Sequence, residues 1–318
     1  MSLQFIMGNS GSGKSYCLYD TVVREAIENP DKNYLVIVPE QFTMQTQKDL
    51  CLAHPKGGIM NIDVLSFGRL AYRVFEEVGQ DARVVLDDEG KNLVLRKIAG
   101  ECEKDLKVFK GNLKKQGYIS EVKSVLSEFA QYGVDFERLD DFMKEVPPES
   151  YLHYKLDDIR TIYEKFEEYL SEKYITKEEM LDVLSDAVPY SDILKGSVVA
   201  MDGFTGFTPV QNRLIGELFS VCEKVMITVT MDGRENPYVY EHPYQIFALG
   251  KQMVTSLMKI AGEKKTEIEE PICLFERPVY RFRDCSEMAF LETELFRYSG
   301  AKYNGSCELS LIHISEPT

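Results

Sequence analysis

The chain has 318 residues, 44% hydrophobic and 28% charged, values ordinary for a globular protein of one large or two modest domains. No run of about 18 apolar residues occurs, which excludes a transmembrane helix. The net charge of −15 excludes a globally basic nucleic-acid binder, while leaving room for a local stripe of Lys and Arg against DNA.

The first predicted element is Leu3–Met7 (LQFIM), a short apolar run suited to a buried parallel strand. No signal-peptide pattern precedes it, so a cytoplasmic protein is expected. Gly8–Ser15 (GNSGSGKS) then fits the phosphate-loop pattern G-x-x-x-x-G-K-[ST], and Tyr16–Ile27 carries apolar residues at helical spacing. Strand, loop and helix in that order are the setting the motif requires. The residue types follow from the chemistry. Backbone N–H groups must point inward around a polyphosphate, which takes positive φ, and Gly8, Gly11 and Gly13 adopt it cheaply. Asn9, Ser10 and Ser12 complete the loop. The helix adds its N-terminal N–H groups and positive dipole end. Lys14 is expected to reach the β- and γ-phosphates and Ser15 to ligate Mg²⁺, so the expected cofactors are ATP and Mg²⁺. The alternative is a Gly/Ser-rich turn that matches by chance.

Asn29-Pro30-Asp31 is a turn signal, followed by Tyr34–Val38 (YLVIV), a β-branched run typical of a strand buried on both faces. Phe42–Leu52 resumes as a helix, Ile62–Leu65 (IDVL) reads as a third strand, and Arg69–Val78 as an amphipathic helix. Residues 1–80 therefore read as a doubly wound α/β parallel arrangement. From about Asp81 to Asp192 no convincing strand is visible, and residues 81–195 are expected to form one insertion. Gly90–Gly100, Tyr118–Tyr132 and Leu152–Tyr174 carry helical periodicity, and Thr176–Glu179 is a capping-box signature opening a helix over Glu178–Ala187. This block reads as an all-helical insertion. Strands return at Ser197–Met201 and Lys224–Thr230, with a helix over Pro209–Val221, so residues 196–275 are expected to complete the parallel sheet. Pro243–Lys259 is expected to be helical and Glu276–Arg283 (ERPVYRFR) an edge strand, opening a further region over 276–318. The final Ser310–Thr318 resembles translated adapter sequence and is expected not to be a natural C-terminus.

The seven cysteines are scattered, odd in number and never in a C-x-x-C pair, and the four histidines are dispersed. Reduced thiols are expected rather than disulfides or a metal site. A phosphate-loop protein usually needs a second acid at the end of an apolar strand, holding Mg²⁺ through water. Asp202 in VVAMD is the candidate. Working ATPase motors commonly place a Glu next; here Gly203 and Phe204 follow, and Gly203 has no base to offer. The site is then expected to bind Mg-ATP and hydrolyse it poorly. A plain turn after the strand is the other reading of Asp202-Gly203.

GNSGSGKS, LVIVPEQFTMQTQKDL, IDVLSFGRLAYRVF, a long helical stretch and VVAMDGFTGFTPVQ, in this order, resemble the N-terminal part of the B subunits of the AddAB (RexAB) helicase–nuclease family. The PEQFTMQTQ and DGFTGFTPVQ segments carry the specificity, since many NTPases share the phosphate loop. The resemblance implies a RecA-like, superfamily-1-helicase-like P-loop NTPase sheet with a large helical insertion. It further implies a heterodimer with an AddA-type helicase/nuclease subunit that processes double-strand DNA ends for recombinational repair. Gly8, Gly13, Lys14 and Ser15 match the family's nucleotide loop, and Asp202-Gly203-Phe204 matches its altered second acid. Such B subunits are associated with recognising the Chi sequence in single-stranded DNA. The family's nuclease acids and four-cysteine iron–sulfur cluster have no matching positions here and are expected only in a C-terminal part.

In helicases of this architecture, single-stranded DNA crosses the sheet's C-terminal edge. Gln41 and Thr43 after the second strand, and Ser66 and Phe67 after the third, are the DNA-contact candidates. Phe67 as core and Thr43 as a helix cap are equally open. Lys104, Lys107, Lys110, Lys114 and Lys115 form a basic run, either a DNA-facing patch or a solvated face. Two other function classes stay open: a P-loop phosphotransferase such as a small-molecule kinase, and a structural clamp with a vestigial nucleotide loop.

Overall fold

A computed structural model describes residues 1–79, 83–113, 115–171, 173–295, 297 and 299–305. The chain divides into two compact units. The first holds residues 1–66, 196–206 and those from 219 onward; the second holds Phe67–Lys195 and Phe207–Leu218.

The first unit is a parallel sheet. Its strands are β1 (Ser2–Gly8), β2 (Tyr34–Ile37), β3 (Ile62–Leu65), β6 (Val198–Met201), β7 (Lys224–Thr230), β8 (Glu267–Ile268) and β9 (Ile272–Leu274). The order is β3-β2-β6-β7-β1-β8, with β9 also against β1, and every pairing is parallel. Helices α1 (Lys14–Glu28), α2 (Thr43–Ala53), α10 (Ala248–Lys264) and α11 (Ser286–Glu294) belong to this unit, while α9 (Pro209–Val221) starts in the other and ends here. Strands β2 and β6 are buried along their whole length, which is why they read as unbroken apolar runs without alternation. Leu18, Val22 and Ala26 of α1 and Leu50 of α2 pack with Ile6, Val36 and Ala200 in one core.

The sequence places an edge strand at Glu276–Arg283. The strand beside β1 is instead Ile272–Leu274, and Tyr280–Phe282 forms a 3₁₀ turn. Pro278 has no N–H to give a ladder, so the run ERPVYRFR is a poor strand despite its aromatic residues. The helix expected over Pro243–Lys259 begins at Ala248 and runs to Lys264.

The second unit is helical: α3 (Phe67–Val78), α4 (Asp88–Cys102), α5 (Gln116–Tyr132), α6 (Phe136–Glu145), α7 (Tyr151–Leu170) and α8 (Lys177–Ala187). The expectation of no strand here is corrected by β4 (Val84–Leu86) and β5 (Tyr174–Thr176), a parallel pair. Three-residue strands far apart in sequence are too short to show a period of two, and only their pairing reveals them. The helix expected to reach Tyr174 therefore stops at Leu170. Leu95, Ile98, Leu126, Ile162 and Phe166 form the core of this unit. The capping box is present: Thr176 Oγ1 accepts from the Glu179 N–H at 3.2 Å, and Glu179 Oε2 accepts from the Thr176 N–H at 2.8 Å.

Two ionisable groups are wholly or partly buried in this unit. Lys91 Nζ, buried on α4, donates to Glu178 Oε2 at 2.6 Å and Ser127 Oγ at 3.2 Å, tying three helices together. On α7, burial and then the neighbouring Glu179 charge push the Glu167 carboxyl up to about 7. A carboxyl raised in the folded state adds stability at low pH that is lost as pH rises through the folded value. The melting temperature is thus expected to fall between pH 5 and pH 8, and Glu167→Gln to flatten that slope. An unchanged slope in the variant would remove Glu167 from the explanation.

Among the described residues, no helix is long and apolar enough to cross a membrane, and no group of three or more His, Cys, Asp or Glu is arranged to hold a metal. The described cysteines are free thiols. Lys114, Cys307, His313 and Ser310–Thr318 lie outside the described residues.

Candidate functional site

The phosphate-loop motif sits between β1 and α1, at the C-terminal edge of the sheet. Gly11 (φ 80°) and Gly13 (φ 95°) take positive φ, as the loop chemistry demands. Gly8 is required for closeness instead: a Cβ there would collide with Ser12 Oγ and stand 2.8 Å from the Leu274 carbonyl oxygen. The Ser12 N–H donates to the Asn9 carbonyl at 3.1 Å, closing a tight turn. Gly13 precedes α1 and has no side chain to cap the helix, which leaves first-turn N–H groups facing the loop.

Lys14 Nζ folds back over the loop and donates to the carbonyls of Gly8 at 3.0 Å and Asn9 at 2.9 Å. Burial pulls its pKa down to about 8; Asp202 works against that shift and the Arg281 charge adds to it. Two buried side-chain atoms in the loop, Asn9 Oδ1 and Ser12 Oγ, lack a hydrogen-bond partner among the described residues. Asn9 is 2% exposed and donates its amide to Glu292 Oε1 at 2.6 Å. Buried polar atoms without partners are costly, and a hydroxyl at this place suits an incoming ligand oxygen.

Asp202 follows directly after β6, two strands from β1. Its Oδ2 accepts from the Tyr19 hydroxyl at 2.8 Å and its Oδ1 from the Thr228 hydroxyl at 2.6 Å. Burial and the Asp202 charge push the Tyr19 phenol well above its usual range, so it remains a donor. Gly203 follows at φ 78°, beside Pro39 and Phe42. A side chain at that φ is strained, which gives the Asp202-Gly203 pair a backbone reason of its own.

Several participants near the loop carry no motif. Asp232, just after β7, accepts from Arg234, Arg277 and Arg297. Burial opposes it, yet the hydrogen bonds from Arg234 and Arg297 and the Arg277 charge hold its carboxyl well below the usual range. Arg277 bridges on to Glu292 at 3.1 Å, and Glu292 holds Asn9. The Arg281 N–H donates to the Gly11 carbonyl at 3.0 Å. Arg281 and Glu292 thus touch the loop from far along the chain. The only local hint was the density of arginine in ERPVYRFR.

The DNA-contact candidates fall in different settings. Gln41 is exposed, in a 3₁₀ turn after β2. Thr43 is buried and its hydroxyl donates to the Glu40 carbonyl at 3.0 Å, closing the start of α2. Ser66 is buried after β3. Phe67 begins α3 in the helical unit, 8% exposed and edge-on to Phe207 at 6.4 Å between ring centres. In the lysine run, Lys107 pairs with Asp157 at 2.8 Å and lies over the Tyr154 ring, and Lys115 lies over Tyr118.

A family model described as ADDB, N-terminal, matches residues 5–292. The B subunit of the ATP-dependent helicase/deoxyribonuclease of Lachnoclostridium phytofermentans is 44% identical over 302 residues, covering 94% of this chain and 26% of that protein. Proteins of the same name from Clostridium acetobutylicum and Thermoanaerobacter sp. strain X514 are 34% and 36% identical, each over 94% of this chain. The chain spans about a quarter of the length of these curated relatives.

Proposed function

The chain belongs to the ADDB N-terminal family, and on that premise we propose that it is the ATP-binding, single-strand-holding part of a helicase/deoxyribonuclease B subunit. In this reading it works in the cytoplasm with an AddA-type motor subunit on double-strand DNA ends, and Chi is the sequence it meets in the single strand. The observation that carries the nucleotide half is the loop 8–15: an uncapped helix start, a folded-back Lys14, and buried Asn9 and Ser12 atoms with no partner among the described residues. The nuclease acids and an iron–sulfur cluster belong, in this reading, to a part of such subunits that this chain does not match.

Ser15 and Asp202 are the residues that would hold Mg²⁺, Ser15 directly and Asp202 through water. Both Asp202 oxygens already accept a hydroxyl, but a carboxylate oxygen has a second lone pair and can accept from a water as well. One carboxylate suits Mg²⁺, which keeps most of its waters. No base follows Asp202, so the chain should bind ATP and turn it over far below the roughly 1–10³ s⁻¹ of working enzymes. Steady-state phosphate release measures this, and brisk turnover by the unmodified chain would sink the degenerate-site reading. Gly203→Glu should leave nucleotide affinity intact while costing about 1–2 kcal/mol of stability through its positive φ.

Gln41, Thr43, Ser66 and Phe67 are the proposed DNA contacts. Gln41 is the clean one to test, because its side chain is exposed. Gln41→Ala should weaken single-strand binding without shifting the melting temperature.

A further inference from the structure

An open groove of about 440 Å³ begins at Ser15, where the phosphate loop ends. Its walls are the first turns of α1, with Ser15, Tyr16, Tyr19 and Asp20, and the last turns of α2, with Asp49 and Leu52. The volume lies within the roughly 300–1,000 Å³ of small-molecule clefts.

The direction in which a bound nucleotide would run is legible from Lys14. Its ammonium folds back to Gly8 and Asn9, at the beginning of the loop. Such a lysine meets the β- and γ-phosphates, and the loop's N–H groups cradle the α- and β-phosphates. The terminal phosphate of a bound nucleotide would therefore lie toward Gly8 and Asn9, and the opposite end would leave past Ser15. The groove opens at that point. Its chemistry suits the sugar and base that lie beyond an α-phosphate. Tyr16 is 75% exposed and Leu52 74%, an aromatic face and an apolar floor left open among the described residues. The Tyr19 hydroxyl is engaged by Asp202 and Thr46, so the groove meets its ring rather than its donor. Asp20 is exposed, and Asp49 accepts a hydrogen bond from Gln45 at 2.7 Å through one oxygen, leaving acceptor capacity on its carboxylate. Carboxylates repel phosphate but accept from ribose hydroxyls and exocyclic amino groups.

We infer that this groove holds the nucleoside half of the nucleotide, with Tyr16 stacking on the base and Asp20 and Asp49 accepting hydrogen bonds from its sugar or amino donors. The inference rests on the nucleotide reading above and makes these residues the determinants that separate a nucleotide from a bare polyphosphate.

Displacement titrations with two probes, ATP and inorganic tripolyphosphate, test it. Tyr16→Ala should weaken ATP about tenfold, the size of one base–aromatic stack, and leave tripolyphosphate within about twofold. Tyr16→Phe should restore ATP affinity, and Asp49→Ala should again weaken ATP alone. Tyr16 is largely exposed, so folding is not at stake, and a melting curve verifies that. The inference is overturned if ATP and tripolyphosphate bind the unmodified chain equally, or if Tyr16→Ala weakens both probes alike or neither. Lys14→Ala distinguishes the levels: undiminished binding of both probes in that variant would overturn the nucleotide reading itself.

Discussion

Lys14→Ala is expected to weaken ATP binding by about 100-fold or more. An ammonium's charge-assisted contacts to phosphate are worth roughly 1.5–3 kcal/mol each, and about 2.7 kcal/mol corresponds to 100-fold. The cost in the free protein is small by comparison, because the Gly8 and Asn9 carbonyls that Lys14 now holds sit at a loop beside half-exposed residues. The same residue predicts a pH dependence. In the free chain burial brings Lys14 down to about 8. A polyphosphate favours the charged form and so raises that value in the complex. Binding then takes up a proton above pH 8, and affinity falls with rising pH there, by up to about tenfold per unit. Below pH 7 the lysine is charged in both states and contributes no slope. Calorimetric titrations from pH 6.5 to 9.5 measure the step, and Lys14→Ala should lack it. Affinity that is level across this range in the unmodified chain would contradict the role given to Lys14.

Asp158→Ala is expected to cost about 3–5 kcal/mol of stability in the helical unit, because three backbone N–H groups lose their acceptor and each such loss costs about 1–3 kcal/mol where the group is buried. Asp158 is 1% exposed on α7. Its Oδ1 accepts from the Lys107 N–H at 2.8 Å, and its Oδ2 from the N–H groups of Val108 and Phe109 at 2.7 and 2.8 Å. These three amides belong to an irregular stretch after α4, where no helix or strand could satisfy them. Removing the carboxylate leaves them without an acceptor while Phe109 remains committed to the core. Urea unfolding gives the magnitude, and hydrogen exchange should show protection lost first around residues 107–109. The adjacent Asp157→Ala is the control. Its side chain meets Lys107 at the surface, where an ion pair adds little, so stability should barely change. Equal effects of the two substitutions would refute the capping role.

The two aspartates show why local pattern has limits. Side by side on one helix, Asp157 and Asp158 are indistinguishable by composition, and only packing decides which one is taken out of water. The lysine run is similar. Its residues stood out as a block of charge, yet Lys107 is committed to Asp157 and Tyr154 through neighbours about 50 positions away. Thr43 and Phe67 illustrate a third case. Each was open between contact and scaffold; the fold adds a scaffold partner to each, Glu40 beneath Thr43 and Phe207 against Phe67, and leaves the proposed DNA contact to the binding test.

By itself the sequence determined the parallel sheet, the helical unit and the phosphate-loop motif. These rest on signals that live within a few residues: apolar runs buried on both faces, apolar residues at helical spacing, a capping box, and glycines where φ must be positive. The structure alone decided what lies against the loop. Glu292 turns Asn9, Arg281 meets Gly11, Asp232 gathers three arginines, and α2 closes a groove with α1 past Ser15. Apart from the Arg234–Asp232 pair, these contacts join groups tens to hundreds of residues apart. Such long-range contacts leave no period or spacing in the chain, because the fold, and not the local backbone, offsets the entropy of bringing them together.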